Sequence, residues 1–213
     1  MTKIAINPEH EVVVPKKLIP MLREIRWPRN IDLLLDQLTR NPKEREAFVK
    51  LASQLNCDGL KTLRTILKTN PLVLNKKTPS QILKRVLVIQ DVKDRKYKLH
   101  SKAVSKLNFS LSNGLACEMT YVKTEFGCEY YPVTLTINNV KATLYLDDSQ
   151  ALTFFERATK DVRIMRRVKP HRISYETDGR TVDLPKEYYK AAMLAISEKT
   201  SLVIAPLLSS KGS

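Results

Sequence analysis

Glycine and histidine are scarce in this sequence, and each scarcity narrows the chemistry open to the protein. The chain contains only five glycines, and none is paired as a phosphate-cradling loop requires, which argues against a nucleotide-binding loop of that kind. The three histidines, His10, His100 and His171, lie far apart and share no metal-ligand spacing with one another or with the cysteines. We therefore predict no bound metal and no cofactor.

Cysteine is also scarce, and long apolar runs are missing. The three cysteines, Cys57, Cys117 and Cys128, are odd in number and lack the spacing of a secreted disulfide framework, so we expect reduced thiols. A disulfide between Cys117 and Cys128 across a hairpin is the alternative. No apolar run approaches the roughly 20 residues that span a bilayer, and the N-terminus has no apolar signal-peptide core. These absences favour a soluble, cytoplasmic protein with no membrane span.

Catalytic motifs are absent as well. The sequence contains no nucleophile elbow, no kinase signature and no zinc motif. Asp147 and Asp148 form the only adjacent acidic pair, but neighbouring residues at a strand end point apart, and Asp148 is a suitable helix N-cap. A carboxylate metal site at this pair is the alternative. We predict that the protein is not an enzyme.

Positive charge is what the sequence has in excess. Residues 1–106 contain 23 Lys and Arg residues against 10 Asp and Glu residues, a formal charge of +13, whereas residues 107–213 carry only +2. Charge at this density opposes folding through self-repulsion and is typical of proteins that bind an anionic partner.

The first basic cluster, residues 76–106, holds ten Lys and Arg residues against two aspartates, a charge of +8. Duplex nucleic acid carries about one phosphate charge per 1.7 Å of axis, so a contiguous basic ridge displaces many counterions. The alternatives are a solvated helix face with a linker, or a surface for anionic lipid or an acidic protein. The predicted nucleic-acid contacts in this cluster are Lys84, Arg85, Lys93, Arg95, Lys96 and Lys98.

The second basic cluster, residues 157–172, holds seven Lys and Arg residues against one aspartate, a charge of +6. It is rich in arginine, whose planar guanidinium pairs with phosphates and stacks on bases. The alternative is an exposed loop and an edge strand whose arginines prevent strand pairing. The predicted nucleic-acid contacts here are Arg163, Arg166, Arg167, Lys169 and Arg172, with His171 beside them.

Apolar residues recur at helical spacing in the first half of the chain. Asn41, Asp58 and Thr78 are suitable N-caps, and Glu44 and Gln81 stand three residues after two of them, as in a capping box. The pattern predicts a helix around residues 18–25 that ends before a proline, and further helices over 31–39, 42–55, 59–68 and 79–89.

The second half changes to the alternating pattern of β-strands. Asn138-Asn139 and Asp178-Gly179 predict two hairpin turns, because these residues tolerate positive φ. Helices are expected after Asp148 and Pro185, and Leu202–Leu208 is an apolar segment suited to a last strand or a docked tail. We predict an α+β protein with a basic, all-helical N-terminal domain (1–92), a basic junction (93–106), an antiparallel β-sheet domain with about two helices (107–208) and a mobile tail (209–213).

Two motifs offer more specific alternatives. Residues 48–55 and 59–68 have the lengths of a helix-turn-helix, with Lys61, Arg64 and Lys68 on the exposed side of a possible recognition helix. The usual turn glycine is missing, and any two packed helices give a similar pattern. The second motif groups four aromatic residues and a lysine around one turn, where they can stack bases or pack across strands: Tyr121, Lys123, Phe126, Tyr130 and Tyr131.

The charge pattern favours a non-enzymatic protein that binds DNA or RNA through phosphate contacts, with a regulatory role as one form of that function. The rival hypothesis is a protein-interaction or assembly subunit whose basic half docks an acidic partner protein. A nuclease or other nucleic-acid enzyme is a third alternative, and it requires a metal-dependent activity that substitution of a carboxylate abolishes.

Overall fold

The computed structural model describes residues 2–7, 10–14, 18, 28–70, 73–177 and 179–201. The chain forms two compact units, Met1–Asp94 and Arg95–Ser213. Helices and antiparallel strands make it an α+β protein, which confirms the predicted fold class. The narrower domain limits of 1–92 and 107–208 stay a prediction.

The first unit begins with an antiparallel hairpin, so the prediction of an all-helical N-terminal part is wrong. Strand β1 (Thr2–Asn7) pairs with β2 (His10–Val14). Both segments are rich in isoleucine and valine, whose β-branched side chains favour strands. The predicted helix around residues 18–25 lies outside the described residues except for Leu18. The helices that follow are α1 (Pro28–Arg40), α2 (Pro42–Ala52), α3 (Cys57–Thr69), α4 (Val73–Lys76) and α5 (Pro79–Val104).

Helix α5 is longer than the sequence predicts, because it continues past Ile89 to Val104 and includes most of the stretch expected to be a junction. Its start is as predicted: the backbone N–H of Thr78 donates to the Gln81 side chain, and the Thr78 hydroxyl accepts from the Gln81 backbone N–H. Residues 90–104 contain no proline or glycine, and lysine and arginine have good helix propensity, so nothing ends the helix earlier.

Glu44 links the starts of α2 and α5. Asn41 caps α2 as predicted, since its side chain accepts a hydrogen bond from the Glu44 backbone N–H at 3.1 Å. The Glu44 carboxylate does not complete the predicted capping box with Asn41. Instead it accepts hydrogen bonds from the backbone N–H of Ser80 at 2.5 Å and from the Ser80 hydroxyl at 2.9 Å. A carboxylate is favourable there because the unpaired N–H groups of a helix N-terminus carry partial positive charge.

Gln90 of α5 holds the turn between α2 and α3. Its side-chain oxygen accepts from the Asn56 backbone N–H at 2.9 Å, and its amide donates to the Gln54 carbonyl at 3.2 Å. Asn56, and not the predicted Asp58, caps α3 by accepting from the Gly59 backbone N–H. A Cβ at Gly59 would lie 2.1 Å from the Gln90 side-chain oxygen, so a larger residue displaces this amide.

The core of the first unit is formed by the apolar faces of its helices. Leucine supplies most of the buried side chains, which gives an apolar stripe on each helix and leaves the charged residues on the opposite side. The buried residues include Leu34, Leu38, Phe48, Ala52, Leu63, Leu67, Leu74, Leu83 and Val86.

The second unit is built on a seven-stranded antiparallel sheet. Its strands are β3 (Leu107–Ser110), β4 (Ala116–Met119), β5 (Val122–Lys123), β6 (Glu129–Ile137), β7 (Val140–Leu146), β8 (Arg172–Thr177) and β9 (Arg180–Asp183). The strand order is β3-β4-β6-β7-β8-β9, and β5 pairs with β6. Asn138 and Asn139 have φ values of 49° and 65°, which confirms the predicted turn between β6 and β7. The predicted second hairpin joins β8 and β9, with Gly179 at φ 72°.

The register of this sheet separates two faces. Val133, Leu144 and Ile173 lie on one face and are fully buried. The opposite face is polar and partly exposed, and it includes a hydrogen bond between the hydroxyls of Thr134 and Thr143. One face therefore carries the core, and the other is partly exposed to solvent.

Helical elements complete the second unit. Helix α6 (Asp148–Thr153) runs into a π-helical turn (Phe154–Ala158), and a 3₁₀ helix (Val162–Arg167) precedes β8. After β9, a 3₁₀ turn (Lys186–Tyr188) leads into α7 (Tyr189–Glu198). Asp147, and not the predicted Asp148, caps α6 by accepting from the Gln150 backbone N–H at 2.7 Å. The apolar segment 202–208 and the tail 209–213 lie outside the described residues.

Replacing Glu44 with alanine is expected to destabilise the first unit by about 1–3 kcal/mol, because the buried Ser80 loses the carboxylate that accepts from its backbone and its hydroxyl. Urea denaturation followed by the helical circular dichroism signal measures the change. Glu46→Ala, at an exposed position on the same helix, is the control and is expected to change little. Equal effects of the two substitutions would show that the contact with Ser80 contributes nothing.

Candidate nucleic-acid interface

The predicted contacts of the first basic cluster do not share one environment. Lys84, Arg85 and Lys93 are exposed on the part of α5 that belongs to the first unit, and Lys98 is exposed further along the helix. Arg95 is partly buried, as is Lys96, and both are engaged in ion pairs. The first cluster therefore contains solvated cations and paired ones.

Both paired cations of α5 bind acidic residues of the segment that begins with α6. The Arg95 guanidinium donates to the Glu156 carboxylate at 2.7 Å. Lys96 Nζ lies 2.8 Å from Asp148 Oδ2 and 2.8 Å from the Ser149 hydroxyl. These contacts attach α5 to α6 and to the π-helical turn, a structural role that the sequence pattern did not indicate.

The ion pair with Lys96 changes the acidity of Asp148. Partial burial favours the neutral carboxyl, but the hydrogen bond and charge of Lys96, together with Ser149, outweigh it and lower the pKa of Asp148 below its ordinary 3.8. Asp148 is therefore ionised at neutral pH and paired with an ammonium group. Asp147 is occupied as the α6 cap, which leaves the predicted alternative of a carboxylate metal site at this pair without support.

Arg95 from the first cluster and Arg157 and Lys160 from the second line one cleft, which we call the basic cleft. Its volume is about 700 Å³. Two acidic residues also line it, but Glu156 is paired with Arg95, and Asp161 is paired with Arg163 at 2.9 Å. The complete lining is Arg95, Phe155, Glu156, Arg157, Thr159, Lys160, Asp161 and Ile164.

The side chains of Arg157 and Lys160 are exposed at this cleft, and neither has an ion-pair partner among the described residues. Because the acidic residues of the cleft are already neutralised, these two cations set its net charge. Lys102 lies near another residue of the lining, with Nζ 5.9 Å from the centroid of the Phe155 ring. The cleft therefore carries unpaired positive charge next to an aromatic ring.

The remaining arginines of the second cluster are mostly paired. Arg163 binds Asp161 through Nε and Nη2, and this contact lowers the pKa of the aspartate. Arg166 lies 3.4 Å from Glu198 of α7, and Arg172 Nε donates to Asp183 of β9 at 2.7 Å. Arg167 and Lys169 are exposed, without an ion pair in the described part of the chain. The structure thus distributes the second cluster over several elements.

A second concave site lies on the polar face of the sheet, and we call it the aromatic pocket. Its volume is about 410 Å³. The Arg172 guanidinium lies 5.0 Å from the centroid of the Tyr145 ring, and the rings of Tyr130 and His171 meet edge to face at 5.9 Å. His171 Nε2 also lies 3.5 Å from Asp147 Oδ2. The pocket is lined by Val122, Thr124, Tyr130, Tyr145, His171 and Arg172.

The aromatic group predicted around Tyr121 is only partly assembled. Tyr131 is buried, where its hydroxyl shares a hydrogen bond of 3.1 Å with His100 Nδ1, and its pKa is raised to about 12 by burial and by nearby acidic groups. Phe126 is 94% exposed at the tip of the hairpin between β5 and β6. Of the group, Tyr130 alone lines the aromatic pocket. Core packing, the alternative stated for these residues, therefore applies to Tyr131.

The possible recognition helix is α3. Lys61, Arg64 and Lys68 lie on its exposed side, while Leu63 and Leu67 are buried on the other. Helix α2 ends at residue 52, so the first helix of the motif is shorter than predicted. This arrangement is compatible with a helix-turn-helix and equally with an ordinary helical bundle, and the DNA-reading role stays a prediction.

The three cysteines form no disulfide in the described part of the chain. Cys57, Cys117 and Cys128 are free, and burial raises the pKa of the Cys117 thiol to about 12, so it is not a thiolate at neutral pH.

No group of three or more His, Cys, Asp or Glu side chains is arranged for a metal ion within the residues described. None of the described helices is both long and apolar enough to cross a membrane.

The predicted contacts do not include Arg157 and Lys160 of the basic cleft or Tyr145 of the aromatic pocket. Arg157 and Lys160 belong to the second cluster by composition, but only the cleft distinguishes them from its other cations. Tyr145 stands between the buried Leu144 and Leu146, and this alternation is the sequence signal that places it on the opposite face of the sheet.

Substituting Lys96 with methionine is expected to raise the pKa of Asp148, because burial then acts without the ammonium that offsets it. In the native protein the lowered pKa means that ionised Asp148 stabilises the fold above pH 3.8, and that this contribution is lost as the pH falls through the folded-state value. The substitution should therefore reduce the loss of stability between pH ~6 and pH ~3.

NMR titration of the Asp148 carboxyl and urea denaturation at both pH values measure these effects. Lys98→Met removes an exposed lysine of the same helix and is the control. An unchanged Asp148 titration in Lys96→Met would contradict the assigned ion pair.

No protein-family model, curated protein or solved structure matches this chain. Its function is therefore inferred from the charges, cavities and packing described above.

Proposed function

We propose that this protein binds nucleic acid, DNA or RNA, without catalysis, and that the basic cleft is its main phosphate-binding site. The observation that supports this proposal is the presence of Arg95, Arg157 and Lys160 on one cleft, since these residues come from two clusters about 60 positions apart. Phosphate contacts supply most of the affinity of sequence-independent nucleic-acid binding, and they come from lysine and arginine.

The charge balance inside the cleft favours an anion. Glu156 and Asp161 are each occupied by an arginine, so they do not compete with a phosphate for Arg157 and Lys160. Arginine presents two parallel N–H donors to a phosphate, whereas lysine acts as a point charge. A site with one of each binds a phosphate backbone without selecting a sequence.

Further cations extend the cleft along α5. Arg95, Lys98 and Lys102 are three and four positions apart, a spacing that puts them on one helix face. Lys98 and Lys102 are exposed, and Lys102 lies close to Phe155 of the cleft. This face gives the phosphate backbone several contacts beyond Arg157 and Lys160. Its length suits a polyanion better than a small anion.

Six cations form the proposed contacts of the first unit. They are Lys84, Arg85 and Lys93 of α5 and Lys61, Arg64 and Lys68 of α3. All six are exposed. We rank them below the basic cleft because none of them is among the residues that line it.

The double substitution Arg157→Gln with Lys160→Gln is expected to weaken binding of a labelled oligonucleotide and to lower the slope of log affinity against log salt by about 2, because two phosphate contacts are lost. Fluorescence anisotropy between about 50 and 200 mM salt measures both quantities. The matched control is Lys186→Gln with Lys190→Gln, which removes two exposed lysines outside the cleft and should leave the slope nearly unchanged.

Charge reversal at Arg166 and Arg167 tests how much the rest of the second cluster contributes to the binding affinity. Arg166 is already paired with Glu198, so Arg166→Glu with Arg167→Glu should cost less affinity than the same reversal at Arg157 and Lys160. Absence of salt-sensitive binding to any DNA or RNA by the native protein would reject the proposal. Capture of an acidic protein in a nuclease-resistant complex would then favour the assembly-subunit hypothesis.

A further inference from the structure

We propose that the aromatic pocket receives an unpaired base of a single-stranded nucleic acid, with Arg172 binding an adjacent phosphate. This inference rests on the proposed function, and it adds a substrate class, single strand in preference to duplex. Neither the positive charge of the chain nor the basic cleft specifies this preference.

The register of the sheet brings the pocket residues together. Tyr145 of β7 pairs with Pro132 of β6 on one side and with Arg172 of β8 on the other. Tyr130 stands two positions before Pro132, so Tyr130, Tyr145 and Arg172 share the polar face of the sheet. Val122 of β5 pairs with Tyr130 and closes the pocket at that end. Aromatic residues on an open sheet surface are a recurring platform for unstacked bases.

Arg172 is held in position for a dual role. Its Nε donates to Asp183, a contact that raises the pKa of the guanidinium, and its carbon centre lies 5.0 Å from the Tyr145 centroid. Its two terminal nitrogens have no hydrogen-bond partner among the residues that the structure describes. They are thus free to donate to a phosphate while the guanidinium plane packs against a ring.

The opposite wall of the pocket is also fixed. The His171 ring contacts Tyr130 edge to face, and its Nε2 faces Asp147, which itself caps α6. A volume of about 410 Å³ falls in the usual range of about 300–1,000 Å³ for small-ligand pockets. The walls are aromatic, and the cation stands at one side, which matches a base attached to a phosphate. A base inside a duplex is stacked and paired, so only an unpaired base can enter.

The aromatic pocket and the basic cleft both adjoin the helical segment that begins with α6. Asp147, beside His171, precedes α6, and Glu156, beside Arg95, lies in the π-helical turn that continues α6. At a rise of about 1.5 Å per residue, the two acidic residues are separated by roughly 13 Å along the helix. The pocket and the cleft therefore adjoin opposite ends of one helical segment.

The test compares a labelled oligothymidine of about 12 nucleotides with a duplex of the same length, using the full chain and fluorescence anisotropy. We expect the native protein to bind the single strand more tightly. Tyr130→Leu should weaken single-strand binding roughly 5- to 100-fold and leave duplex binding unchanged, because one base–aromatic contact is lost. Tyr130→Phe retains the ring and should bind like the native protein, as should Tyr97→Leu, which removes an exposed tyrosine of α5.

A second measurement leaves the protein unaltered and so does not depend on the folding of a variant. An abasic oligomer of the same length keeps every phosphate but has no bases. It should bind more weakly than oligothymidine by a similar factor, with the same salt slope, because only stacking is removed.

The outcomes separate the two proposals. If oligothymidine, duplex and abasic oligomer all fail to bind at low salt, the proposed function is rejected, and this inference with it. If nucleic acid binds but the abasic oligomer binds as tightly as oligothymidine, or the duplex binds more tightly, the pocket does not receive a base and the phosphate-binding function stands alone.

Discussion

Two acidic residues of the second unit pair with the partly buried cations in the second half of α5. Arg95 and Lys96 are both partly withdrawn from water, and a charge removed from water is costly unless it is paired and hydrogen-bonded. Glu156 and Asp148 supply those partners from the two ends of one helical segment, α6 with its π-helical turn. Without them, α5 would place two unpaired cations against a protein surface. This pairing attaches the second half of α5 to both ends of that helical segment.

Neutralisation also decides which cations carry charge that no acidic residue balances. Ion pairs at partly exposed positions contribute little stability, typically up to about 1 kcal/mol each, so their main consequence here is for charge. Glu156, Asp161, Glu198 and Asp183 each bind an arginine of the two clusters. In the second cluster, Arg157, Lys160, Arg167 and Lys169 have no such partner among the described residues, and only the first two line the basic cleft. The positions of unpaired cations therefore depend on which acids are occupied, and the number of basic residues alone does not reveal them.

The two faces of the sheet differ, since one packs into the core and the other lines the aromatic pocket. Its apolar face carries the core, as fully buried side chains such as Val133, Leu144 and Ile173 show. The side chains of its polar face do not form the core, and Tyr130, Tyr145 and Arg172 line a pocket there. The same alternation that stabilises the strands thus supplies the geometry of the aromatic pocket.

Local patterns determined much of this protein from sequence alone: the α+β class, the cap at Asn41, the capping box at Thr78 and the turn at Asn138-Asn139. Each depends on chemistry within a few residues. The same patterns do not predict the N-terminal hairpin, although its β-branched residues are visible, and they predict too short an α5, because its charged second half resembles a junction.

Only the tertiary structure decided which charges are paired and which residues share a site. Glu156 lies 61 positions from Arg95, and no local pattern connects them. Likewise, the register between three strands, and not their composition, places Tyr130 near Arg172. Charge and helix capping are properties of short segments, whereas a binding site depends on distances between segments, and those distances exist only after the chain has folded.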